Sequence, residues 1–146
     1  MKLEEIDIKT LLPQQEPVIM VDRLLAADQK SAVSALDIRE DNIFVEEGTL
    51  RPYALIENMA QTCAAQLGYV DRYVLGRDSV RMGYIGAVKQ MRAEHAPRVG
   101  ETLTTRVEIL EDVMDIKLVA AESFVGERRV ASAEMKIALS GEMEER

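Results

Sequence analysis

Leu55-Ile56-Glu57-Asn58-Met59-Ala60-Gln61 sets a carboxylate one helical turn ahead of an amide, in a stretch that otherwise reads as a buried, small-residue helix. Pro52 suits the first turn of that helix, where its missing N–H is not needed. Ile56, Met59, Ala60, Cys63 and Leu67 share one stripe, and Ala64, Ala65 and Gly68 keep neighbouring positions small, so other backbone can approach on more than one side. The pattern predicts a helix from Pro52 to about Tyr73, ended before Gly76, at the centre of the fold. A carboxylate left unpaired against a core face is costly, so Glu57 must be solvated in a cleft, paired, or used.

The flanks of this helix read mostly as strand. Apolar residues at Leu3, Ile6, Ile8, Leu11 and Leu12 predict a short N-terminal helix ended by Pro13. Val18 to Leu25 and Ala32 to Arg39 are rich in β-formers, with Asp28-Gln29-Lys30 as a hairpin turn between them. Glu40 to Arg51 is irregular and polar, with a turn at Glu46-Glu47-Gly48. After Asp78 the alternation of Val80, Met82 and Tyr84, then Leu103 to Ile109, then Ala131 to Leu139, predicts antiparallel sheet. Turn signals lie at Pro97 to Glu101, Glu111-Asp112 and Gly126-Glu127. The expected class is α+β, one domain over residues 1–146, with strands packed against a single long helix.

Composition narrows the function classes. The 146 residues suffice for a core without metals or disulfides, and a net charge of −8 argues against nucleic acid as a partner. Glu142, Glu144 and Glu145 contribute to that charge from the C-terminus, where a solvated end is expected. Cys63, the single cysteine, sits among alanines as a small buried hydrophobe rather than a nucleophile. No apolar run has the length of a membrane span and none opens the chain as a signal peptide would, so a cytoplasmic protein is expected. One His and one Cys far apart predict no metal, and Gly83 and Gly86 lack the context of a dinucleotide-binding loop, so no cofactor is expected.

Two motifs then carry a resemblance. Leu11-Leu12-Pro13-Gln14-Gln15-Glu16-Pro17-Val18-Ile19-Met20-Val21-Asp22-Arg23 resembles the N-terminal signature of the 3-hydroxyacyl-(acyl-carrier-protein) dehydratases, Leu-Leu-Pro-His-Arg-Tyr-Pro followed by apolar residues and Val-Asp-Arg. Leu55 to Gln61 resembles their central-helix signature, Leu-Glu-Ala-Met-Ala-Gln, and Tyr84 to Lys89 with Gly100-Glu101 is a weaker third match. The resemblance implies a hotdog fold, a curled antiparallel sheet wrapped round one long helix, which dimerises by joining sheets. It also implies an acyl chain carried as a thioester, on acyl carrier protein or CoA.

The same comparison marks a gap. In the family a loop histidine works with the helix carboxylate of the other subunit; Glu57 matches that carboxylate, but Asn42-Ile43-Phe44-Val45-Glu46-Glu47-Gly48-Thr49-Leu50 holds no histidine where the loop should be. The catalytic candidates are therefore Glu57, Gln61 one turn later to orient it or the substrate, and His95 near the end of a predicted strand. Against them stands a structural reading of Glu57, a carboxylate near a helix N-terminus held by the macrodipole and by Gln61. His95 equally suits an ordinary surface turn.

Three functions follow as expectations. The first is a dehydratase-like subunit in lipid or polyene synthesis whose composite site, with Glu57 as one half, is completed by a histidine-bearing hotdog partner. The second is an acyl thioesterase using Glu57, with backbone donors at Gly48 and Tyr53 to polarise the carbonyl. The third is a non-catalytic acyl-binding partner, its tunnel lined by Met59 and the small helix residues. Docking of an acidic carrier protein would fall to Lys89, Arg92 and Arg98.

Overall fold

The structure, a computed structural model, describes residues 2–139. Its frame is a six-stranded antiparallel sheet built from β1 (Arg23–Ala27), β2 (Ser31–Asp37), β5 (Gly83–Ala93), β6 (Thr102–Val113), β7 (Ile116–Val125) and β8 (Arg128–Leu139). The order across the sheet is β1-β2-β6-β7-β8-β5. A separate two-stranded hairpin pairs β3 (Val45–Glu46) with β4 (Thr49–Leu50), and the helix α1 (Pro52–Tyr69) packs across the sheet. One long helix against a curled antiparallel sheet is the hotdog arrangement.

α1 forms where the apolar stripe requires it and ends in a π turn, Val70–Val74, before Gly76 takes a left-handed φ of 67°. Leu55 and Met59 from the helix meet Leu103, Val107, Val119 and Met135 from the sheet to make the core. The small residues do what their size permits: a Cβ on Gly68 would collide with the backbone carbonyl of Leu11, so the N-terminal segment lies directly on the helix there. The Asp28 turn is also as read, its carboxylate accepting the N–H groups of Lys30 and Ser31 at 2.8 Å each.

Four boundaries differ from expectation. The N-terminal helix is two separate 3-10 turns, Leu3–Glu5 and Ile8–Thr10, because Asp7 accepts the Lys9 N–H and starts a new turn between two buried isoleucines. β1 begins at Arg23, not Val18, since helix side chains bond the Val18 and Met20 backbone groups that a strand partner would need. Val80 and Met82 lie before β5; there the backbone is tied to the buried Asp71, which accepts the Arg81 N–H at 2.9 Å and pairs with the Arg81 and Arg77 guanidiniums. Glu111 and Asp112 belong to β6 beyond a bulge, and the turn falls at Met114-Asp115, both at positive φ as a two-residue hairpin demands. The C-terminal Glu142, Glu144 and Glu145 lie outside the described residues.

Candidate active site

The middle of α1 is tied to the rest of the protein by buried amides. Asn58 donates through Nδ2 to the Met20 carbonyl at 2.7 Å and accepts from Thr105 Oγ1 at 2.6 Å. With its only proton so used, Thr105 accepts from Ser123 Oγ, 2.7 Å away, completing a chain from helix to β7. Thr62 donates to the Asn58 carbonyl and accepts from Ser34 in the same manner, each at 2.8 Å. All of these side chains are fully buried, so their mutual satisfaction fixes how the helix sits on the sheet.

Gln61 uses its whole amide. Its Oε1 accepts the Met20 N–H at 2.6 Å, and its Nε2 donates to the Val18 carbonyl and to Glu57 Oε1, both at 2.7 Å. Glu57 is thereby aimed from a half-buried position, one oxygen engaged and the other in no hydrogen bond among the described residues. It faces a cleft of about 260 Å³ between α1 and the inner sheet face, walled by Ala60, Ala64 and Leu67 on the helix and by Tyr84, Ile85, Val107, Ile109, Val119, Ile137 and Leu139 on the strands. The side chains on it with polar groups are few: Glu57, Gln14, Gln66, Cys63, Lys117 and Tyr84. Gln66 is spent on the Asp28 carbonyl, and burial pushes the Cys63 thiol up to about 12, which leaves it a thiol rather than a nucleophilic thiolate. Gln14 Oε1 is buried with no hydrogen-bond partner among the described residues.

Glu57 and Gln61 thus come together as read. His95 does not join them within the subunit: it is exposed just past β5, with Thr49, Arg98 and Arg128 round a separate shallow hollow. Gly48 takes a φ of 81° in the β3–β4 turn, its carbonyl accepting the Val99 N–H, and Tyr53 is exposed with its ring edge-on to Phe44, so neither borders the cleft. Met59 is enclosed in the core, with no exposed surface, and does not wall the cleft. Lys89, Arg92 and Arg98 are exposed and in no ion pair among the described residues.

Two wall residues escaped the sequence reading. Gln14 occupies the histidine position of the Leu-Leu-Pro-His signature, so the motif itself carried the signal. Lys117 shares its parity with Val119, Ala121 and Ser123, and a charged residue on the inward side of an alternating strand was visible in the sequence. Among the described residues no group of His, Cys, Asp and Glu could hold a metal ion, and no helix is long and apolar enough to cross a membrane.

Comparison with known proteins places this arrangement. A 3-hydroxyacyl-(acyl-carrier-protein) dehydratase FabZ of Clostridioides difficile (strain 630) is 28% identical over 139 residues, covering 91% of this chain and 94% of the relative. The FabZ of Desulfotalea psychrophila is 22% identical over 145 residues, covering 95% of each. Among solved structures, the dehydratase heterocomplex ApeI:P from Xenorhabdus doucetiae superposes with a TM-score of 0.85 at 15% identity, over 94% of this chain and 93% of that one. The family described as ApeP dehydratase matches residues 6–145, nearly the whole length, and the chain belongs to this ApeP-like dehydratase family.

Proposed function

We propose that the protein acts on 3-hydroxyacyl thioesters as one half of a dehydratase, with Glu57 as the catalytic acid or base and the missing histidine supplied by another hotdog chain. The observation that carries this reading is the Glu57 carboxylate, held by Gln61 at 2.7 Å with its second oxygen in no hydrogen bond among the described residues, facing a largely apolar cleft of about 260 Å³. Dehydration removes a proton from C2 and protonates the departing hydroxyl at C3. A carboxyl group that can change protonation at the polar end of an apolar cleft suits one of these transfers, and an imidazole from a partner suits the other. Gln61 is a positioning residue here, since its amide holds Glu57 and touches no substrate atom itself.

The heterocomplex named for the Xenorhabdus relative supports a mixed dimer for this chain too. The outer edge of β5, exposed along nearly its whole length, is where a second sheet would join. An acyl carrier protein, itself acidic, would meet Lys89, Arg92 and Arg98 despite the overall charge of −8.

The test is a dehydration assay on 3-hydroxyacyl carrier protein with the chain alone, with Glu57→Ala, and with a histidine-bearing hotdog chain present. The expected result is formation of the trans-2-enoyl product in the mixed sample, lost in Glu57→Ala. Activity of the chain alone that survives Glu57→Ala would overturn the reading, and release of free thiol would point to hydrolysis in its place.

A further inference from the structure

Gln14 brings to the cleft an acceptor that the protein itself does not satisfy. It lines the same cavity as Glu57, and its Oε1 is the one buried side-chain nitrogen or oxygen without a hydrogen-bond partner among the described residues. Its amide nitrogen makes no hydrogen bond among them either. The amides of α1 are all spent: Asn58 on Met20 and Thr105, Gln61 on Met20, Val18 and Glu57, and Gln66 on Asp28. A buried acceptor left unpaired weakens the fold, and an apolar side chain in its place carries no such cost.

The chain carries Gln14 toward the reacting end of the cleft. The Gln15 carbonyl accepts the Val18 N–H at 3.1 Å, so the backbone doubles back directly after Gln14. The Val18 carbonyl and Oε1 of Glu57 then each sit 2.7 Å from one nitrogen, Nε2 of Gln61. The turn that follows Gln14 and the Glu57 carboxylate are thereby fastened to the same amide. Among the described residues nothing fastens the Gln14 amide itself, and its last torsion turns at little cost, so a donor entering the cleft can draw the oxygen toward it.

We propose that Gln14 accepts the hydrogen bond of the substrate's 3-hydroxyl and is a further catalytic residue of the dehydration. The inference rests on the 3-hydroxyacyl reading of the cleft. Within a 3-hydroxyacyl group the hydroxyl is the only hydrogen-bond donor, and it is the group that leaves. Held by Gln14 through its own proton, the hydroxyl turns a lone pair toward the acid. The base removes the C2 proton, the C2–H electron pair becomes the second C2–C3 bond, and the C3–O bond breaks as the acid protonates the oxygen, so that water departs. Gln14 keeps its hydrogen bond throughout and neither gives nor takes a proton, because an amide, unlike the histidine of the signature, does not titrate.

The experiment is calorimetric binding of two amide-linked octanoyl-pantetheine analogues, one with a hydroxyl and one with a fluorine at C3, to the wild-type protein, Gln14→Met and Gln14→Leu. The two analogues are close in size and differ in the proton. The wild type should favour the hydroxyl member by about tenfold or more. Both variants should lose most of that preference, and without ligand each should melt about 2–8 °C above the wild type, since the unpaired oxygen is gone. No preference in the wild type, a preference as large in both variants, or variants that melt lower or fail to fold would overturn the assignment while leaving the acyl cleft in place. Failure of both analogues to bind the wild type would overturn the acyl reading as well.

Discussion

Replacing Gln61 by methionine tests whether one buried amide holds the site together. The substitution keeps the length and most of the volume of the side chain, so packing changes little. It removes three hydrogen bonds: from the Met20 N–H, to the Val18 carbonyl and to Glu57. The Met20 N–H is left with no acceptor in a fully buried setting, at a cost of about 1–3 kcal/mol. The Val18 carbonyl belongs to a residue 37% exposed and regains water in part, so its share is smaller. Together the expected loss is about 2–4 kcal/mol, a substantial part of what a protein of this size has, and a fall of roughly 5–15 °C in Tm. The assay is urea unfolding at a single protein concentration, where the midpoint should fall. Glu57→Gln is the control: its new amide oxygen still accepts from Gln61 Nε2, so it should cost less than about 1 kcal/mol. A loss below about 1 kcal/mol for Gln61→Met, or one no larger than that of Glu57→Gln, would refute the claim that Gln61 ties the Val18–Met20 segment to the helix.

Three further changes follow from buried or paired carboxylates. Asp71, fully buried with the Arg77 and Arg81 guanidiniums and the Arg81 N–H around it, should cost about 2–3 kcal/mol as Asp71→Asn. This lies below the usual cost of a broken buried pair, because both arginines are partly exposed; hydrogen exchange at Arg77 to Met82 should quicken, and unchanged protection there would refute the clamp. The neighbours Asp22 and Asp37 should respond to pH in opposite senses. Burial holds the Asp22 carboxyl above the usual value, so the folded state binds its proton first and stability from this group falls as pH rises through that window. Asp22→Asn should therefore gain most at neutral pH and match the wild type below about pH 4. The Arg23 and Thr102 side chains hold Asp37 below the usual range, so Asp37→Asn should lose stability at neutral pH and recover it as the pH falls through the depressed value. Denaturation midpoints from acid to neutral pH check both, and parallel curves for the two variants would contradict the opposite signs.

What the chain by itself determined is the kind of object it folds into. Alternation in β6 and β8 is a local periodicity that settles which face of each strand is buried whatever the partner, whereas the stripe from Ile56 to Leu67 announced a helix but not its buried faces, since Asn58, Gln61, Thr62 and Gln66 are buried too. The Glu57–Gln61 pair was legible for the same reason, since residues one turn apart on a helix must be neighbours. The tertiary structure alone decided where the other ends of the contacts lie. Gln61 and Asn58 reach back across roughly forty residues to Val18 and Met20, and that competition for backbone groups, invisible to strand propensity, is why β1 starts at Arg23. Met59 read as a wall and proved to be core, because a stripe shows that a residue is buried without showing what it is buried against. The cleft itself, with Glu57 and Gln14 on its walls, depends on a sheet register spanning residues 83–139 against the helix, a long-range geometry that no local pattern encodes.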